Sequence, residues 1–186
     1  MRLFVALDLS NEVRAAIAQF CETLRAEFPS ARWARGEGIH VTMKFIGEVS
    51  EERAAQIENA LGTVNSDSAI EMNFRGAGFF PDERRPRVFW LGIDSTPNLA
   101  DIAAQIETRL EPLAISRESR EFKPHLTLAR ISELRGIEKL REVLRKHGAL
   151  DFGTVRTNEM HLYRSELGRG GAKYTRIKTF TFAKTK

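Results

Sequence analysis

The chain has 186 residues, 42% of them hydrophobic and 29% charged, with a formal net charge of +4. That is length enough for one domain with a sizeable core, and no run is long and apolar enough to cross a membrane as a helix. The single cysteine, Cys21, excludes an intrachain disulfide and any multi-cysteine metal site and fits a reducing cytoplasm, while the mild basicity fits a phosphate-bearing partner.

The opening "MRLFVALDLSNEV" has a short apolar run interrupted by Asp8, so it reads as a first strand over Arg2 to Leu9 and not as a secretory leader. Ser10 stands where an N-cap would stand, and Val13, Ile17, Phe20, Leu24 and Phe28 follow at helical spacing until Pro29-Ser30. A strand carrying "HVTM" (residues 40 to 43) ends at Gly47. Ser50 then caps a helix with Glu51 and Glu52 in its first turn and an inward stripe of Ala54, Ile57, Leu61 and Val64.

Ile70 to Phe80 reads as extended, "PDERRPR" as a polar connection, and Val88 to Ile93 as a strand. Thr96-Pro97 has the form of a cap followed by proline at the first helical position, ahead of Leu99, Ile102, Ile106 and Leu110. "HLTL" (residues 125 to 128) follows. Then comes a helix with Ile137, Leu140, Val143 and Leu144 inward, His147 at its end and Gly148 as its stop. Thr154 to Ser165 and Lys173 to Phe182 read as two closing strands, with "ELGRGGAK" as a hairpin loop between them.

The order repeats. Asp8 lies opposite Asp94 at an offset of 86 and His40 opposite His125 at an offset of 85, so one deletion aligns both segments. A strand, a capped helix, a His-x-Thr strand and a second helix occur twice. The spacing predicts a duplicated α+β lobe whose halves face each other across a pseudo-two-fold axis.

Side chains alternate along a strand. His40 and Thr42 therefore share one face, with Val41 and Met43 on the other, and His125 and Thr127 are set against Leu126 and Leu128 in the same way. If the halves are related by a two-fold, one groove holds two imidazoles and two hydroxyls. That set suits phosphodiester chemistry without a metal. A neutral histidine takes a proton from water, a protonated one gives a proton to the departing oxygen, and the hydroxyls hold phosphate oxygens. Arg130 continues the second strand and is expected on the His125/Thr127 side, where its charge would face a developing phosphorane.

A lone His-x-Thr in a strand is usually structural; two copies at equivalent places reverse that weighting. No carboxylate stands at ligand spacing beside either histidine. His147 reads as a helix-end residue, and His161, on the face of Tyr163 and Ser165, reads as packing at the border of the groove. The arginines of "ERRPR" are a solvated loop able to receive an RNA tail, and Trp33, Phe79 and Phe80 are core residues before they are base-stacking ones.

The paired motifs resemble the two-histidine (2H) phosphoesterase superfamily. With "RLFVALDLS", "RWARGEGIHVTMKFIGEV", "FKPHLTLAR" and "LYRSELGRGGAKYT" alongside them, the likeness is closest to its RNA 2′,3′-cyclic phosphodiesterases, also called the 2′-5′ RNA ligase family. The resemblance implies one bilobed α+β domain over residues 1–186, with antiparallel sheets flanked by helices around a central cleft and two intertwined repeats. It implies hydrolysis of a terminal 2′,3′-cyclic phosphate to a 2′-phosphomonoester with no metal or cofactor, by a cytoplasmic monomer, with RNA ends, tRNA fragments among them, or cyclic nucleotides as substrate. Carried over by position, His40 donates a proton to the leaving 3′ oxygen, His125 activates water, and Thr42, Thr127 and Arg130 bind phosphate. The resemblance also implies joining of RNA through a 2′-5′ linkage. The alternatives are a non-catalytic RNA- or nucleotide-binding module, or a 2H enzyme for small cyclic nucleotides or 2′-5′ oligonucleotides.

Overall fold

The structure is a computed structural model that describes residues 1–146, 150–168 and 171–183. His147, Gly148 and the centre of the "ELGRGGAK" segment, Arg169 and Gly170, lie outside the described residues. Among the described residues the chain forms strands β1 (Arg2–Leu7), β2 (Arg32–Trp33), β3 (Val41–Glu48), β4 (Ile70–Phe80), β5 (Val88–Ser95), β6 (His125–Arg130), β7 (Asp151–Thr157), β8 (Glu159–Gly168) and β9 (Gly171–Thr181). The helices are α1 (Asn11–Glu27), α2 (Glu51–Leu61), α3 (Asn98–Leu110) and α4 (Ile137–Lys146).

Local chemistry starts the helices. The Ser10 hydroxyl accepts from Val13 N at 3.3 Å, and that of Ser50 from Arg53 N at 3.2 Å, so both predicted caps are formed. Thr96 differs. Its hydroxyl accepts from Glu71 N at 3.1 Å, across to β4, and α3 begins with no side-chain cap bond. Sheet pairing has taken the oxygen that the Thr-Pro pattern reserved for the helix.

Two antiparallel sheets result, in the orders β3-β1-β8-β9 and β2-β6-β5-β4-β7. The predicted strand over Thr154 to Ser165 is two strands in different sheets. The chain changes sheet at Asn158, whose carbonyl accepts from Phe182 N at 2.9 Å. The predicted loop is mostly ladder, since Glu166 pairs with Lys173, Leu167 with Ala172 and Gly168 with Gly171.

The helices cross between halves. α1 follows β1 but packs on β7 of the other sheet, with Phe20 and Phe152 at 5.3 Å; α3 follows β5 but packs on β3 and α2. Both stripes are buried: Val13, Ile17, Cys21 and Leu24 on α1, and Leu99, Ile102, Ile106 and Leu110 on α3. On α4, Ile137 and Leu140 are buried, with Val143 and Leu144 half-buried. β3 and β6 touch, so the faces turned away from the helices line one open central cleft. Among the described residues no helix is long and apolar enough to cross a membrane.

Candidate active site

Both motifs obey the alternation read from sequence. Val41, Met43, Leu126 and Leu128 are buried, while His40, Thr42, His125 and Thr127 are half-exposed on the cleft side. Each strand then breaks its period in the same place. Thr42 pairs with Ala6 but Lys44 with Val5, leaving Met43 as a bulge; Thr127 pairs with Trp90 but Ala129 with Phe89, leaving Leu128 as a bulge.

The bulges turn the following residues. Lys44 and Ala129 face the core, 6% and 1% exposed, and Phe45 and Arg130 return to the cleft face. Strict alternation from His125 would have put Arg130 beside Leu126 and Leu128. The inserted residue brings it instead to the cleft face, opposite Val88 and one step along from the Thr127–Trp90 pair. The bulge, not alternation, turns Arg130 to that face.

Aromatic rings flank both histidines. The His40 ring stacks on Phe4, with centroids 4.8 Å apart, and meets the edge of Tyr174 at 5.2 Å. Phe4 is itself stacked on Tyr163 at 5.3 Å. In the other half, Phe80 meets His125 edge-on at 5.1 Å and stacks on Trp90 at 5.2 Å. Trp90 is the counterpart of Phe4, at the same offset of 86 as Asp8 and Asp94. The indole lies over Gly78, where a Cβ would come within 2.5 Å of it.

His125 has a defined tautomer. Its Nδ1 lies 2.7 Å from the carbonyl oxygen of Lys123, which can only accept, so Nδ1 carries the proton and Nε2 of the neutral ring offers a lone pair. Among the described residues no three His, Cys, Asp or Glu side chains are grouped as a metal would need. Two shallow recesses, one between Phe45, Arg53 and Ile115 and the other between Arg2, Arg164 and Leu167, are lined by neither histidine.

The family described as LigT like Phosphoesterase matches the chain twice, over residues 7–90 and 91–174, each match holding one His-x-Thr motif. The chain belongs to this family. It is 32% identical to an RNA 2′,3′-cyclic phosphodiesterase of Methanothermobacter thermautotrophicus over 181 residues, 97% of this chain and 98% of that one. It is 38% identical to the protein of the same name from Aeropyrum pernix over 139 residues, 74% of this chain and 78% of the relative. Among solved structures, TT0787 of Thermus thermophilus superposes with a TM-score of 0.79 at 28% identity, over 98% of both chains. Escherichia coli LigT complexed with 3′-AMP superposes with a TM-score of 0.75 at 27% identity, over 97% of both.

A partly buried network missed by motif reading backs the His40 side. The Tyr163 hydroxyl donates to Asp8 Oδ1 at 2.7 Å, Arg176 pairs with the same carboxylate, and His161 Nδ1 meets Thr179 Oγ1 at 3.0 Å. Burial lowers the His161 pKa from its ordinary value, against the pull of Asp8 3.7 Å from Nε2, and burial also raises the Tyr163 phenol. His161 is thus a neutral packed residue and Tyr163 a protonated donor behind the Phe4–His40 stack. The available signal was the period of two on β9, which puts Tyr174 and Arg176 on one face; the β8–β9 register then sets Arg176 opposite Tyr163. Trp33 and Phe79 are core residues, each about nine-tenths buried or more, and the Trp33 indole donates to Phe28 O.

Proposed function

We propose that this protein hydrolyses the 2′,3′-cyclic phosphate at an RNA end to a 2′-phosphomonoester by histidine acid-base catalysis. The observation that carries the reading is the paired arrangement of His40/Thr42 and His125/Thr127 on the cleft faces of two touching strands. His125 Nε2 takes a proton from water as the water oxygen bonds to phosphorus. His40 gives a proton to O3′ as the P–O3′ bond breaks. Thr42 and Thr127 hold the non-bridging oxygens, and Arg130 balances their growing charge. The fixed Nδ1–H of His125 supports its role as the base. Bond making and breaking need no other reactant, and the same path with an RNA 5′-hydroxyl in place of water as the nucleophile forms a 2′-5′ linkage.

The relatives named RNA 2′,3′-cyclic phosphodiesterase support this substrate class, with tRNA fragments as candidate ends. Residues 1–186 are taken as one catalytic unit of two intertwined repeats, acting as a monomer because both histidines come from one chain, in the cytoplasm, without metal or cofactor. The test is turnover of a panel of 2′,3′-cyclic nucleotides and cyclic-phosphate-ended RNAs with EDTA present. Release of 2′-phosphate ends is the expected product. Loss of activity in EDTA with recovery on adding one divalent ion contradicts the mechanism, and binding without turnover of any panel member leaves the binding-module reading.

A further inference from the structure

On the cleft face of the second sheet the cross-strand pairs form a row at the end of the motif strand: Arg32 on β2, Arg130 on β6, Val88 on β5 and Phe80 on β4. Arg32 and Arg130 are therefore direct neighbours on adjacent strands. Both are exposed, and among the described residues neither guanidinium has an ion-pair or hydrogen-bond partner. Like charges set directly opposite each other weaken a ladder. β2 has only two residues, so it gains little from pairing that would offset this repulsion. Two uncompensated guanidinium groups facing one cleft form a receptor for an anion, and their planar forks suit phosphate oxygens.

The row lies beyond the reacting centre by a definite step. His125 pairs with Gly92, Thr127 with Trp90 and Arg130 with Val88, so the arginines stand two β5 residues past the Thr127 pair, about 7 Å along the strand. That is the direction and scale on which a chain leaving the reacting phosphate would present its next phosphodiester to long, flexible arginine side chains. The first half has no equivalent. The residue matching Arg130, 85 positions earlier, is Phe45, an apolar side chain 61% exposed. The duplicated cleft is cationic at one end and apolar at the other, which gives a bound strand a single direction.

We propose that Arg32, with Arg130 beside it, holds the phosphodiester that precedes the terminal nucleotide, so that the site selects a nucleic-acid end over a free cyclic mononucleotide. This rests on the cyclic phosphodiesterase reading of the same cleft. Arg130 stands between the two phosphates and serves both, while Arg32 touches only the upstream one. Arg84 and Arg85 are exposed on the neighbouring β4–β5 loop, where Asp82 Oδ1 accepts from both of their backbone N–H groups at 2.7 and 3.0 Å.

The test uses three substrates: a 2′,3′-cyclic mononucleotide, a dinucleotide ending in the same cyclic phosphate, and that dinucleotide with its internal linkage replaced by neutral methylphosphonate. In the wild-type protein the charged dinucleotide should exceed the methylphosphonate in kcat/KM by roughly 10- to 100-fold, the range for a hydrogen bond to a charged group. Arg32→Gln should bring the charged dinucleotide most of the way toward the methylphosphonate level through KM, with Arg130 keeping the remainder. It should leave the methylphosphonate and the mononucleotide unchanged and reduce the salt slope of dinucleotide binding by about one. Arg32→Lys should recover part of the loss. Because one of two opposed charges is removed, the melting temperature of Arg32→Gln should not fall.

An Arg32→Gln protein with wild-type kcat/KM on the charged dinucleotide, or with equal losses on all three substrates, overturns the proposal. Equilibrium binding of the two dinucleotides reads the same contact without turnover. A protein that discriminates them in binding but cleaves nothing keeps the Arg32 contact and overturns the hydrolase reading; one that cleaves both without discriminating does the reverse.

Discussion

Lys44 occupies the position just after the bulge of the first motif strand, and removing its charge should be costly in a way that can be computed beforehand. Its side chain is 5% exposed, and Nζ lies 2.7 Å from each carboxylate oxygen of Glu107 on α3 and 2.7 Å from the Ser116 carbonyl. Lys44→Met fills the same space with an apolar chain but strands a carboxylate that is itself only 18% exposed and retains a long 3.3 Å bond from Glu118 N. Breaking a buried pair in this way costs about 3–5 kcal/mol, and the residual exposure of Glu107 argues for the lower end. At about 2–4 °C per kcal/mol for a chain of this size, a 3 kcal/mol loss lowers the melting temperature by about 6–12 °C. Urea unfolding at neutral pH measures it, and the loss should persist at high salt because the pair is shielded from counterions. Lys44→Met combined with Glu107→Leu should be far milder than the sum of the singles, since neither charge remains buried. A single-variant loss below about 1 kcal/mol, the range of exposed pairs, would refute the reasoning and leave apolar packing as what ties β3 to α3.

Gly78→Ala should destabilise the fold by about 1–3 kcal/mol, the usual cost of overpacking, although alanine is otherwise better tolerated than glycine in a strand. Its Cβ would come within 2.5 Å of the Trp90 ring, which is stacked on the Phe80 that abuts His125, so turnover should fall with stability. Thermal melting and kcat of a variant still folded at the assay temperature check it; a variant of unchanged stability and rate contradicts the packing described. His161 provides a pH signature. Its folded pKa lies below the unfolded value, so between the two the unfolded chain binds the extra proton. The stability it contributes is full above pH ~6.5 and is lost as pH falls toward the folded value. His161→Gln should flatten the slope of the urea midpoint against pH below pH ~6.5, and parallel slopes would show that the ring does not titrate this way.

Much of this architecture was legible because its determinants are local. Ser10 and Ser50 cap their helices, the inward stripes of α1, α2 and α3 are buried, and the two His-x-Thr segments alternate as a period of two requires. What was not legible depends on partners distant in sequence. The Thr96 hydroxyl goes to Glu71 because β4 passes beside it. The change of sheet at Asn158 is set by pairing on both sides, since Thr154 to Thr157 join β4 while the residues from Glu159 onward join β9. The bulges at Met43 and Leu128 leave no mark in composition, yet they decide where Lys44, Phe45 and Arg130 point. Arg32 is one of many exposed arginines until the β2–β6 register places it beside Arg130. The cleft was therefore readable at its two histidines and threonines, but its two ends were not.

The most direct measurement of the central claim is single-turnover cleavage of an RNA ending in 2′,3′-cyclic phosphate by His40→Ala, His125→Ala and the double variant, with folding confirmed by circular dichroism. Each single change should lower the rate on the order of 10²–10⁴-fold, the range for a positioned acid or base. The double variant should be scarcely slower than the worse single one, because the two act as a unit. The wild-type rate should trace a bell against pH whose limbs belong to the pair jointly, and each single variant should lose one limb. A folded His40→Ala or His125→Ala protein that cleaves at the wild-type rate would contradict the account.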